Sequence, residues 1–263
     1  MIRAIQCGPL FETLAQANSR VLLVDYDGTI APFRVDRNNA FPYPSVPDLL
    51  ECIGNITRTR LVMVTGRKVE DLIHLLGIQP HPEIWGVHGL ERLMPDGTYD
   101  FVRVHENEKK ALFEAEALLE YEGLMELTET KPGAIAVHWR GLDKGAIHEA
   151  RTAAYRAFLP LASQAGLLVS EFDGGVELRV AGRNKGDVVR IILAEVGEDV
   201  PVAYMGDDIT DEDAFRALRW NSRGLGVLVR PEYRLTDASV WLRPPDELEG
   251  FLRDWLRASG GGA

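Results

Sequence analysis

Two carboxylates, Asp25 and Asp27, follow the unbroken apolar run Val21-Leu22-Leu23-Val24 and precede Gly28-Thr29. Alternate residues of a strand point to one side, so this pair can face a single substrate. A second acidic group follows the apolar residues 201–205: Gly206-Asp207-Asp208-Ile209-Thr210-Asp211-Glu212-Asp213, with five acidic side chains within seven residues. Like charges so close repel one another without a cation. Their donors are hard oxygens with no accompanying thiolate or imidazole set, which points to magnesium. Thr65-Gly66-Arg67 and Lys185-Gly186 bring a hydroxyl, a guanidinium and an ammonium, groups suited to an anion. Each signal also has an ordinary structural reading. Asp-Gly is a common tight turn, and a Thr or Asp beside a helix is often only its cap.

The elements that must position these groups read as strands alternating with helices. An apolar run ended by polar residues is a buried parallel strand, and open parallel sheets collect ligands outside the carboxyl ends of their strands. Asp25 and Asp27 stand at one such end, Thr65 to Arg67 after residues 61–64 at another, and Asp207 at a third. Helices are expected over 10–17, 46–57, 68–76, 183–196 and 245–257, and further strands over 84–87, 226–229 and 240–242. The N-terminal amides of the helix over 68–76 favour an anion in the same crevice. His88, after the strand over 84–87, reads either as a structural histidine or as a binding residue.

From about residue 105 the pattern changes. Helices over 105–121 and 143–165 alternate with strand pairs over 124–130 and 134–139, and over 167–172 and 176–180. The order αββαββ is self-contained, a small antiparallel sheet backed by two helices, so 105–180 is expected as an inserted domain and 1–104 with 181–263 as the first. Ile135, Val137 and Trp139, and Val176, Leu178 and Val180, fall on the helix side. Glu129, Lys131, His138, Arg140, Glu177 and Arg179 fall on the opposite face, either as a solvated mixed-charge surface or as a surface that meets a ligand.

Composition bounds the function. Charged residues at 26% and hydrophobic ones at 46% describe an ordinary globular chain with ample material for a core. A net charge of -11 supplies no basic stripe, which argues against nucleic acid and anionic membrane as partners. Cys7 and Cys52 form neither a zinc spacing nor a disulfide framework, no stretch reaches membrane-spanning length, and the start lacks a secretory pattern, so the chain reads as cytoplasmic. The Gly-rich tail reads as a frayed end.

In order, Asp25-Tyr26-Asp27-Gly28-Thr29, Thr65-Gly66-Arg67, Lys185-Gly186 and Gly206-Asp207-Asp208 with Asp211 resemble the four motifs of the haloacid dehalogenase (HAD) superfamily of phosphohydrolases. The resemblance implies an α/β fold: a Rossmann-like core with a parallel sheet, plus an inserted smaller α+β cap domain of the C2 type. Asp25 to Pro32, Gly86 to Glu91, Glu129-Thr130-Lys131, His138-Trp139-Arg140 and Gly206 to Phe215 are further similar to the trehalose-6-phosphate phosphatases. That likeness covers nearly the whole chain after about residue 20.

It implies hydrolysis of trehalose 6-phosphate, with Asp25 as the nucleophile that becomes an aspartyl-phosphate and Asp27 as acid and base. Thr65, Lys185 and the amides of Gly28 and Gly66 would hold the phosphoryl oxygens, with Arg67 and His88 on the substrate side. Glu129, Lys131 and Glu177 would read the sugar, joined by His138 and Arg140. Magnesium would be held by Asp25, the Asp27 carbonyl and Asp207, with Asp208 and Asp211 in its shell or orienting Lys185. A trehalose-phosphate synthase is the implied functional companion. Competing readings are a phosphatase for sucrose, glucosylglycerate or another disaccharide phosphate, a phosphomutase, and a sugar-phosphate-binding regulator with an inactive core.

Overall fold

Strands that are apolar on both faces demand cover on both sides, and the helices between them supply it. The chain begins α1 (Gly8–Gln16), β1 (Arg20–Val24), α2 (Val46–Ile56), β2 (Thr59–Val64), α3 (Val69–Leu76), β3 (Glu83–Gly86), β4 (Glu91–Leu93) and β5 (Tyr99–Phe101). There follow α4 (Glu106–Tyr121), β6 (Thr128–Lys131), β7 (Ala134–His138), α5 (Lys144–Ala165), β8 (Leu168–Phe172) and β9 (Gly175–Arg179). It closes with α6 (Lys185–Val196), β10 (Val202–Gly206), α7 (Glu212–Leu218), β11 (Gly224–Val229), β12 (Val240–Leu242) and α8 (Asp246–Ala258). This computed structural model describes residues 8–260; Cys7 and the end of the Gly-rich tail lie outside them.

Two compact units result: residues up to Asp100 together with those from Asn184, and Phe101–Arg183. The seams lie a few residues outside the 105–180 read from the sequence. At the exit seam Arg179 Nη1 donates to the Arg183 carbonyl at 2.6 Å, which binds the last turn to the inserted unit.

In the first unit the sheet order is β12-β11-β10-β1-β2-β3-β4-β5. Pairing is parallel from β12 to β3 and antiparallel between β3 and β4. The chain winds outward from β1 through β2 to β3, then returns and winds the other way from β10. The reversal between β1 and β10 is the topological switch point at which such sheets open a crevice. Leu22, Val24, Met63, Ala203 and Met205 pack with α2, α3 and α8 on one face, while Val21, Leu23, Val62, Val64, Val202 and Tyr204 pack with α6 and α7 on the other. Burial of each Leu or Val side chain contributes about 1.5–3 kcal/mol relative to exposure. The whole of β1 is buried, which fixes the position of the residues that follow it.

The inserted unit has the order β6-β7-β9-β8, antiparallel throughout. Ala111, Ala115 and Leu119 of α4 and Ala154, Ala157 and Phe158 of α5 are buried with Ile135, Val137, Val176 and Leu178. Two details differ from expectation. Residues 124–130 are not one strand, because Met125–Leu127 closes a 3-10 turn that Thr128 Oγ1 caps on the Leu124 carbonyl at 2.9 Å. Strands β4 and β5, three residues each around a turn in which Met94 N donates to the Thr98 carbonyl, are too short to show a period in the sequence.

Candidate active site

At the switch point Asp25 N donates to the Met205 carbonyl at 2.8 Å, so the residues that leave β1 and β10 emerge side by side. Gly28 takes φ 81, and a Cβ there would lie 2.2 Å from Asp207 Oδ2; only glycine lets the two loops come this close. Lys185 is the first helical residue of α6, fixed by a reciprocal cap: Asp187 N donates to Asn184 Oδ1 and Asn184 N to the Asp187 carboxylate, both at 2.9 Å. Its ammonium is buried and bridges two carboxylates, with Nζ 2.7 Å from Asp25 Oδ1 and 2.7 Å from Asp211 Oδ1. Thr29 Oγ1 donates to the other Asp25 oxygen at 3.0 Å. Asp211 accepts from Tyr204 Oη at 2.6 Å as well, and its second oxygen takes the backbone amides of Asp207 and Asp208.

The Thr65-Gly66-Arg67 loop carries the other half of the site. Thr65 is buried, and its hydroxyl oxygen accepts from Arg67 N at 3.1 Å, which leaves the hydroxyl proton to donate. Arg67, expected on the substrate side, directs its guanidinium at Asp27: Nε and Nη2 reach the two carboxylate oxygens, both at 2.7 Å. The turn after β3 braces this loop. Val87 N donates to the Arg67 carbonyl at 2.8 Å and His88 N to the Thr65 carbonyl at 2.9 Å. Both residues pay for that with positive φ, 45° and 55°, which is strained for a β-branched valine. His88 thereby lays its ring against Gly66, where a Cβ would come within 2.8 Å of the imidazole.

On the inserted unit, Glu129 and Glu177 share a cross-strand row through Ala136. Lys131 Nζ lies 2.7 Å from Glu177 and 3.4 Å from Glu129, and His138 Nε2 lies 2.9 Å from Glu129. Lys131 and Glu177 are buried rather than spread over a solvated face. The Arg140 guanidinium is bonded to the Asp173 carbonyl in the β8–β9 turn.

The sequence pattern of the trehalose-phosphatase family matches residues 23–239. The chain is 30% identical to the probable trehalose-phosphate phosphatase 9 of Oryza sativa subsp. japonica, over 92% of this chain and 72% of that protein. The chain belongs to the trehalose-phosphatase family. It is therefore a phosphoric monoester hydrolase. Solved structures agree on the fold: the C-terminal domain of C. albicans trehalose-6-phosphate phosphatase superposes with a TM-score of 0.78 at 20% identity, covering 99% of this chain and 98% of that one. A phosphatase of the haloalkanoate (HAD) superfamily from Bacteroides thetaiotaomicron superposes with a TM-score of 0.61 at 17% identity, over 90% and 95%.

In this member of the family the acidic residues divide. Carboxylate oxygens of Asp25, Asp207 and Asp211 lie within 4.8 Å of one another, all buried. The side chains of Asp27 and Asp208 turn elsewhere, Asp27 to Arg67 and Asp208 Oδ1 to the amide of Ile209, whose 3-10 turn it caps; the ligand expected of Asp27 is its backbone carbonyl, which the pairing with Arg67 does not involve. Burial drives the Asp25 carboxyl up to about 7, with Asp211 and Asp27 adding to the rise and Lys185 opposing it. Burial, then Asp25 and Asp211, push Asp207 well above the usual carboxylate range. Burial works against the Lys185 ammonium, but Asp211 and Asp25 outweigh it and hold its pKa up.

A divalent cation fits this donor set. Asp207 Oδ1 is buried with no hydrogen-bond partner, a costly state for a carboxylate oxygen, and hard oxygens suit magnesium. Asp25 and Asp207 would hold the ion, since four donors already occupy the oxygens of Asp211. One consequence is testable by thermal melts. Because the folded pKa of Asp25 lies above its ordinary value, the metal-free fold binds protons that the unfolded chain has lost between about pH 4 and about pH 7. Its stability contribution therefore declines as pH rises through that window. Magnesium should raise the melting temperature more at about pH 8 than at about pH 5, where protons compete for the same oxygens. Equal shifts at both values would contradict the assignment.

Tyr204, Thr29, Arg230 and Arg234 belong to the site's surroundings and carry no motif-level signal apart from Thr29, which closes the Asp-x-Asp-Gly-Thr run. Arg230 Nη1 and Arg234 Nε both donate to the Asp207 carbonyl at 3.2 Å.

Proposed function

We propose that the chain hydrolyses trehalose 6-phosphate to trehalose and phosphate through an aspartyl-phosphate on Asp25, with magnesium, in the cytoplasm. The observation that carries this reading is the buried Lys185 ammonium shared by Asp25 and Asp211 beside the unpaired Asp207 oxygen. An Asp25 carboxylate oxygen bonds to phosphorus as the bond to the sugar oxygen breaks, and Asp27 delivers a proton to that oxygen. Water then attacks phosphorus, Asp27 takes its proton, and the Asp25–phosphorus bond breaks. Bound magnesium would supply positive charge to the phosphoryl oxygens and offset the negative charge of Asp25 and Asp207.

The protein's own part is placement and charge stabilisation. Lys185, the Thr65 hydroxyl and the amides of Gly28 and Gly66 serve the phosphoryl oxygens. Arg67 fixes the orientation of the Asp27 carboxyl group through hydrogen bonds to both of its oxygens. His88, held against Gly66 by a strained turn, borders the same loop and is assigned to the substrate.

The inserted unit acts as a cap that reads the sugar with Glu129, Lys131 and Glu177, joined by His138 and Arg140. Buried charged groups lose heavily when a substrate lacks the hydroxyl that should pair with them, which makes them strong discriminators. Phosphate release with magnesium should be fastest from trehalose 6-phosphate when sucrose 6-phosphate and glucosylglycerate phosphate are assayed alongside. Lys131→Ala should cut hydrolysis of trehalose 6-phosphate about 100-fold or more while changing that of a small aryl phosphate about 3-fold or less. Equal losses on both substrates would remove the sugar-reading role, and a faster rate on another disaccharide phosphate would reassign the substrate.

A further inference from the structure

Strand β11 pairs Leu228 with Gly206, so the residues beyond it run beside the Asp207 loop. From that segment Arg230 Nη1 and Arg234 Nε each donate to the Asp207 carbonyl at 3.2 Å, and Arg234 Nη2 donates to the Asp208 carbonyl at 2.6 Å. Arg234 Nη1 also donates to the Glu212 carboxylate, whose other oxygen accepts from Asp237 N at 2.7 Å. The opposite side of the same peptides is held by Asp211, which accepts the amides of Asp207 and Asp208 at 3.1 and 2.9 Å. Asp207 is thus gripped through both its N–H and its C=O, while Oδ1 of its side chain is buried with no partner. A carboxylate oxygen that makes no bond of its own keeps its place through its backbone.

We infer that Arg234, assisted by Arg230, is a positioning residue that holds Asp207 ready for the metal. The inference rests on the magnesium reading above. Two effects compete in its prediction. A guanidinium near a cation site repels the cation, so by charge alone its removal would tighten metal binding. Its charge is already paired with Glu212, however, and its donors are spent on the carbonyls of the ligand loop, so the loss of positioning should dominate.

The test is a calorimetric titration of Mg2+ into the metal-free full chain, wild type against Arg234→Gln and Arg234→Lys, with melting temperatures recorded in chelator. Arg234→Gln should weaken Mg2+ binding about 10-fold or more, and Arg234→Lys should recover part of the loss, because an ammonium can still donate to the two carbonyls. At saturating Mg2+ the kcat of Arg234→Gln should stay within about 3-fold of wild type, which places the effect on the metal rather than on chemistry. Should Arg234→Gln fail to fold, Arg230→Gln, which leaves the Glu212 pair intact, should show a weakening of about 3-fold. Unchanged or tighter Mg2+ binding by the folded variant overturns the positioning role, and a drop in melting temperature alone marks a purely structural one. A wild-type chain that binds no Mg2+ would instead overturn the magnesium reading.

Discussion

Asp25→Asn abolishes turnover of trehalose 6-phosphate and of a small aryl phosphate alike, with a loss on the order of 10⁴-fold or more on both. A carboxamide is no nucleophile for phosphorus at neutral pH, and the neighbouring carboxylates are otherwise engaged: Asp207, with its unpaired oxygen, would be taken up by the metal. Asp27 is held by both of its oxygens on Arg67, and Asp211 by four donors on Lys185, Tyr204 and two amides. The substitution should leave the fold intact. The amide oxygen can still accept from Lys185 and the amide nitrogen can donate to Thr29, the two partners the carboxylate has now. Rapid-quench phosphate release on both substrates checks the result. Residual activity above about one-hundredth of wild type on either would mean that Asp25 is not the attacking group.

Asp207→Asn should separate stability from function. At neutral pH the native residue must either ionise inside a buried acidic cluster or hold a proton that the unfolded chain would shed, and one of its oxygens lacks any hydrogen bond. Such a group costs about 1–3 kcal/mol. A neutral amide of the same shape carries neither cost, so the metal-free protein should melt several degrees higher, at roughly 2–4 °C per kcal/mol for a chain of this size. The same change removes a metal ligand. Stabilisation by Mg2+ should vanish, and activity should fall about 100-fold or more. Scanning calorimetry with and without chelator reads both effects. A metal-free variant that melts lower than wild type and still responds to Mg2+ would show that Asp207 is an ordinary structural carboxylate.

The parts legible in the sequence are those whose chemistry is local. Val21 to Val24 and residues 202–205 are unbroken apolar runs ended by acids, and a run of that kind has few alternatives to a buried strand with its polar end at a crevice. The inserted αββαββ unit was equally readable, because the alternation at Ile135, Val137, Val176 and Leu178 separates its helix side from its charged side. What was hidden depends on contacts between segments far apart in the chain. Nothing near Arg67 indicates that it would pair with Asp27. The hydroxyl of Tyr204 on Asp211 and the guanidinium of Arg234 on the Asp207 loop are likewise set by tertiary packing alone. The hairpin of β4 and β5 escaped because three-residue strands show no period, and the strained turn at Val87 and His88 because its positive φ values run against the preference of both residues.

The central claim is that phosphate passes through Asp25 on its way from sugar to water. Acid-quenched single turnovers with Mg2+, followed by mass analysis of the peptide that contains Asp25, test it most directly. The account predicts that this peptide gains one phosphoryl group, which then decays as inorganic phosphate appears, and that the gain is absent in Asp25→Asn and in chelator. Full release of phosphate with no phosphoryl group on Asp25 at any time point, or with the group on another residue, would contradict it.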